Sequence, residues 1–290
     1  MQEKGIGKLI RGINDLPTLP NVMLRIKQAL TDDAVTIQAL SEIIEKDPSL
    51  TSKVLRLANS SYYGLSYRVD TITRGITVLG FNIIRNLAFT ASVSKIFSEN
   101  ISFPFDIKGL WHHSLGCAIA SKALIPNKDP VLGEKIFICG IIHDIGKIII
   151  AQNLPDLLER VLKEIEDNRN LTLSDAEKNI IGVTHSEVGA LVAEKWRFPK
   201  ELTSIIRFHH KPSLVNPFPD ITDYTILHNR VYTGNQIAKS IALGKSTDGK
   251  VSAIPLSIWN SLGISEKELP DILYRIKLDF DAVANSWDLE

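Results

Sequence analysis

All seven histidines of the chain fall between positions 112 and 228, so the chemistry that imidazole can do belongs to the second half. The stretch CGIIHDIGKIII, residues 139–150, places His143 and Asp144 side by side inside an apolar run, with Gly146 and Lys147 directly behind them. Moving either polar group out of water without a partner costs a few kcal/mol, on the order of 2–7. Two arrangements compensate that cost: a hydrogen-bonded pair in the core, or a metal ion.

The other histidines are placed by their surroundings. His112 and His113 follow Trp111 at the start of LWHHSLGCAIASKAL, a run of small residues suited to close helix packing. In THSEVGALVAEKW, Thr184 and Glu187 have capping-box spacing, which puts His185 in the first helical turn. There the helix dipole disfavours imidazolium, leaving a neutral ring able to bind metal. In KELTSIIRFHHKP, Leu202, Ile205, Ile206 and His209 share one helical face, His210 sits beside it, and Pro212 ends the helix. A single buried imidazole is ordinarily satisfied by a core or cap hydrogen bond, and His112 and His228 are read that way. His113, His143, His185, His209 and His210 together with Asp144 form the imidazole–carboxylate set that binds iron, manganese, nickel or zinc.

Helices must do the positioning. Apolar residues recur at helical spacing in NVMLRIKQAL and TIQALSEIIEK, and no run alternates as a strand would. In DPSLTSKVLRLANSSYYG, Asp47 reads as an N-cap, Pro48 as the first helical residue, and Gly64 follows a polar exit. SEKELPDILYRIKLDFDAVANSW reads as a terminal amphipathic helix. An all-α fold is expected, with its internal boundary in SENISFPFDIKG, residues 98–109. This divides the chain into a helical lobe, 1–98, and a histidine-bearing lobe, 99–290. KPSLVNPFPDITD, after His210, reads as a loop.

Composition narrows the classes. The 33 basic and 33 acidic residues of this 290-residue chain cancel, which argues against a general attraction to nucleic acid or anionic membrane. Cys117 and Cys139 have no metal-knuckle or secreted-framework spacing and read as reduced core thiols, which suits a cytoplasmic protein. No stretch reaches the ~18 uninterrupted apolar residues of a membrane helix.

The ordered set LPTLPNVMLRI, IIEKDPSLTSKVLRLANSSYYG, ITRGITVLGFNIIRNL, LWHHSLGCAIA, IIHDIGKIII, THSEVGALVAEKW and HHKP resembles the HDOD proteins, HD-related output domains of bacterial signalling, over roughly residues 13–265. The resemblance implies a helical N-terminal lobe packed on a lobe related to the HD metal-dependent phosphohydrolases. It maps His113 onto the first histidine of the HD pattern and His143–Asp144 onto its doublet. His185, His209 and His210 match further histidines of the HD-GYP cyclic-dinucleotide phosphodiesterases. Lys147 matches the lysine of their HDIGK motif, near a substrate phosphate, and reads equally as a solvated lysine at a helix end. The pattern closes with an aspartate, and YTGNQIAKSIALG offers Asn235 in its place. An amide oxygen ligates without bringing charge, so it holds hard cations poorly. Asp220 or Asp223 is the alternative carboxylate. The Gly-Tyr-Pro signature is missing after His210, which removes the main support for cyclic-dinucleotide hydrolysis.

Two functions follow. One is a signalling module working through protein contacts with other signalling proteins, its histidine group holding a structural or sensory ion. The other is a phosphohydrolase of nucleotides or other phosphoesters, with one or two divalent ions on His113, His143, Asp144, His185, His209, His210 and Asn235, and with Asp144 and Lys147 as catalytic groups.

Overall fold

The computed structural model describes residues 24, 26, 35–97, 104–125, 129–214, 224–247, 250–284 and 286. Among them there are helices and no strands. The segment NVMLRIKQAL lies outside the described residues except for Leu24 and Ile26, as do Asp220 and Asp223.

The first described helices are α1 (Ile37–Glu45), α2 (Pro48–Ala58), α3 (Ile72–Leu79) and α4 (Phe81–Phe97). Their starts are chemically marked. The Thr36 hydroxyl accepts from the Ala39 amide, the Asp47 carboxylate accepts from the Leu50 amide ahead of Pro48, and the Thr71 hydroxyl accepts from the Arg74 amide. Each cap satisfies an amide that the helix leaves unbonded, worth about 1 kcal/mol. A 3₁₀ turn at Ser61–Tyr63 ends on Gly64, whose φ of 58° suits a residue without Cβ.

Next come α5 (Ile107–Ala123), α6 (Pro130–Ile142) and α7 (Ile145–Asn153), which are buried almost all round and form the centre of the molecule. Pro130–Asn153 is long and apolar enough to cross a membrane by composition, and 89% of its most apolar window is buried in the fold. Around this centre lie α8 (Pro155–Asp167), α9 (Leu173–Ile180), α10 (His185–Lys195), α11 (Lys200–Phe208), α12 (Tyr224–Ser240), α13 (Leu256–Leu262) and α14 (Leu269–Ala284).

Small residues let these helices approach closely. A Cβ on Gly140 of α6 would stand 2.4 Å from the Ala118 Cα of α5, and one on Gly234 of α12 would stand 2.7 Å from the Ser121 amide. Trp111 of α5, fully buried, meets Phe97 of α4 edge-on at 4.9 Å between ring centres, a pairing worth about 0.5–1.5 kcal/mol beyond area burial. The terminal helix α14 buries Ile272, Ile276, Phe280 and Val283, one stripe at helical spacing. Cys117 and Cys139 are buried free thiols.

Candidate metal centre

Three of the histidines are set by helix ends. His143 is the C-cap of α6 and His209 the C-cap of α11; each donates its Nδ1–H to the carbonyl three residues earlier, Gly140 at 2.7 Å and Ile206 at 2.8 Å. His185 opens α10 behind the Thr184–Glu187 capping box, and its Nδ1–H donates to the Glu177 carboxylate at 2.7 Å. In the neutral ring, tying down Nδ1 leaves Nε2 unprotonated in all three, without a hydrogen-bond partner on His143 and His209 and accepting from His210 on His185. These Nε2 atoms converge on Asp144, the residue between α6 and α7. His143 stands 3.2 Å from Asp144 Oδ2, while His209 and His185 stand 3.3 and 3.4 Å from Oδ1. His113, from the second turn of α5, reaches Oδ2 at 3.8 Å. His210 completes the group, its Nε2 lying 2.9 Å from that of His185.

The six side chains thus form two sets that share one carboxylate: His113, His143 and Asp144, and Asp144, His185, His209 and His210. His113, His143, Asp144, His185 and His209 are buried to 1% exposure or less, and His210 alone is half-buried. Several of their polar atoms that face Asp144 or belong to it have no hydrogen-bond partner: Nε2 of His113, of His143 and of His209, and Oδ1 of Asp144. Orphaned polar atoms in a core are costly, and so many aimed at one point fit an ion. Donors bound about 2.1 Å from one ion at 90–110° stand roughly 3.0–3.4 Å apart, close to most of the separations here. The group can hold a divalent metal.

Electrostatics agree. Burial opposes charge on His143, but the adjoining Asp144 carboxylate outweighs it and raises the imidazole to about 10. Burial would raise the Asp144 carboxyl, and the His143 and Lys147 charges hold it well below the usual carboxylate range. Burial depresses His209 to about 4 and puts His113 and His210 well below the ordinary imidazole value, helped by neighbouring imidazoles. Three neutral rings are ready to ligate, and His143 must release a proton to do so.

Lys147 is buried, not solvated. Its ammonium donates to Asp144 Oδ2 and to the Ser246 carbonyl, both at 2.7 Å. Ser246 belongs to the connection after α12, where Ala242, Gly244 and Thr247 all take positive φ. That connection lies against α5, which carries His113: a Cβ on Gly244 would stand 2.2 Å from the His113 amide, and the Lys245 amide donates to the Gly109 carbonyl at 2.8 Å. Asn235 of α12 is fully buried, and neither atom of its amide has a partner. His228 bonds to Ser204 and to the Tyr224 carbonyl, and His112 packs on Phe280, so both stay outside the group.

Sequence reasoning missed Glu177. Its buried Oε2 accepts from both the backbone amide and Nδ1 of His185, at 2.8 and 2.7 Å. Glu177→Ala is expected to weaken metal binding by about 10–100-fold, because the ring loses the partner that fixes its tautomer and direction. Glu177→Gln, which keeps an acceptor, should lose less; competition against a graded series of chelators measures both.

The HDOD domain family matches residues 16–212. Against a Geobacter sulfurreducens structure described as an HDOD domain protein with unknown function, the chain superposes with a TM-score of 0.83 at 24% identity, covering 99% of this chain and 98% of the other. A candidate phosphohydrolase from Shewanella amazonensis SB2B gives a TM-score of 0.74 at 23% identity, over 96% and 97% of the two chains. An uncharacterised protein of Treponema pallidum (strain Nichols) is 27% identical over 199 residues, 68% of this chain but 38% of that protein's length.

Proposed function

The chain belongs to the HDOD domain family, and from that membership we propose that it is a bacterial signalling module that works through protein contacts, with an ion in the His113–His210 group as a structural or sensory element. The observation that carries this reading is closure. Structural metal sites surround their ion with protein ligands, whereas catalytic ones keep a position open to water and substrate. Here five of the six side chains in the group are fully buried, and the lysine that the HD-GYP motif assigns to a phosphate is engaged internally with Asp144 and Ser246. Imidazole and carboxylate donors suit iron, manganese, nickel or zinc, as one or two ions.

Elemental analysis of protein purified without added metal tests the proposal. Wild type should carry a divalent metal near stoichiometry, and a His143→Ala/Asp144→Ala variant should carry background levels. Equal metal in the two proteins would refute the ion.

A second reading is favoured by the two ligand sets meeting at Asp144 and by the partial exposure of His210. In it the chain is a metal-dependent phosphohydrolase of a nucleotide or other phosphoester. Bound ions would supply a water of lowered pKa and charge to stabilise the attacked phosphate. The chain's own part is orientation: Gly140, Ile206 and Glu177 fix the rings, and Lys147 holds Asp144 ionised. A phosphoesterase screen with manganese or iron decides between the readings, since turnover that disappears in Asp144→Ala would favour catalysis.

A further inference from the structure

A loaded centre is short of negative charge. The side chains grouped there are imidazoles and the carboxylate of Asp144, which already faces the Lys147 ammonium at 2.7 Å, and behind them the buried Glu177 carboxylate meets His185 Nδ1 at 2.7 Å. Asn235, fully buried with an unpartnered amide, brings none. With Asp144 and Glu177 negative and Lys147 positive, a divalent ion would leave the interior with one net positive charge, which a low-dielectric surrounding disfavours. The balancing anion has to enter from outside, and the half-buried edge of the group is His210.

A groove of about 550 Å³ begins at His210 and runs between α12 and α13, a size within the ~300–1,000 Å³ of small-molecule sites. No carboxylate lines it among the described residues. Lys211 stands at its His210 end. The walls offer hydrogen bonding from Asn229, whose Nδ2 donates to Ser261 at 2.8 Å and whose amide oxygen remains available, and from the Ser257 hydroxyl. Pro212, Pro255 and Ile258 add apolar faces on which a flat ring can lie. The cavity between α5 and α14 is of similar size, about 540 Å³, but the carboxylates Asp129, Glu134, Glu268 and Asp279 outnumber the Lys122 and Arg275 cations that also line it, so it does not suit an anion.

We propose that this groove binds a nucleoside monophosphate, its phosphate resting against His210 at the rim of the closed histidine group and supplying the negative charge that the group lacks, with its base and sugar lying along α12 and α13. The proposal rests on the reading that the histidine group holds an ion. Manganese-loaded full-length protein, its metal content measured first, is titrated calorimetrically with adenosine 5′-monophosphate, ribose 5-phosphate and inorganic phosphate. The nucleotide should bind at least about tenfold more tightly to loaded than to metal-free protein, and about tenfold more tightly than either smaller phosphate. Asn235→Asp, at the position that the resemblance gives to the closing aspartate of the HD pattern, should retain manganese at least as well and yet bind the nucleotide about tenfold more weakly, because an internal carboxylate would replace the external anion. Ser257→Glu, at an exposed position of the groove wall, should weaken the nucleotide and leave manganese unchanged. Nucleotide affinity that ignores metal, or that ignores both substitutions, overturns the proposal. Ribose 5-phosphate binding as tightly as the nucleotide overturns the nucleoside assignment. A wild type that takes up no manganese overturns the metal reading itself, and is recognised before any nucleotide is added.

Discussion

Asp144→Ala is expected to abolish metal binding and to lower the unfolding temperature on the order of 10 °C. The carboxylate sits within 3.8 Å of four imidazoles and 2.7 Å from the Lys147 ammonium, all buried. Removing one partner of a buried ion pair costs about 3–5 kcal/mol, because the remaining charge has neither water nor partner. For a chain of this size each kcal/mol moves the midpoint by a few degrees, about 2–4. The double variant Asp144→Ala/Lys147→Met should recover part of the loss, since it also removes the stranded ammonium, although metal stays absent. Equal destabilisation in the single and double variants would mean that the ion pair is not the cause. The Asp144 carboxyl is depressed in the folded protein, so its contribution is fully present above the unfolded carboxylate value of ~3.9 and is lost as pH falls through the folded one. The gap in stability between wild type and Asp144→Ala, followed in metal-free protein, should therefore close in acid.

The second large effect comes from a residue with no side chain. A Cβ on Gly146 would lie 1.9 Å from the His185 carbonyl oxygen and 2.8 Å from the Gly189 amide. Helix propensity alone favours alanine over glycine by about 1 kcal/mol, so an unobstructed Gly146→Ala would stabilise α7. Here both obstacles are backbone, which cannot rotate aside, and overpacking of this kind costs at least about 1–3 kcal/mol. Relief requires α7 to move away from α10, and that separates Asp144 from His185. Gly146→Ala should thus lose its metal with every ligand still present, and should unfold at a lower temperature or fail to accumulate as folded protein. Gly189→Ala is the control. Its nearest obstacle is the Ile206 Cγ2, at 2.7 Å, a side-chain atom that can shift, so its effect should be smaller.

Much of the fold was legible because helix ends carry their own chemistry. Asp47–Pro48, Thr184–Glu187 and the apolar stripe of the terminal helix each appear where their residue types require. The six grouped side chains were legible because imidazoles inside apolar stretches need a reason to be there. Glu177 was not, since it sits among the polar residues of an ordinary surface-like sequence, and its burial arises only when α9 meets the start of α10. Nor was the second partner of Lys147, a carbonyl 99 residues away, because backbone acceptors leave no mark in a sequence. The need for glycine at position 146 was equally hidden, as it comes from another helix's backbone.

The grip of Lys147 on two parts of the chain has a mechanical side. The connection from Ala242 to Thr247 keeps two residues other than glycine in left-handed backbone, at φ 54° and 70°, a conformation that costs about 1–2 kcal/mol each and persists only while its surroundings enforce it. One of those restraints is the ammonium that also faces Asp144. Whatever alters the charge at that carboxylate changes the pull on a bent tether leading to the carboxy-terminal helices, and tension applied to the tether is felt at the carboxylate with equal free energy.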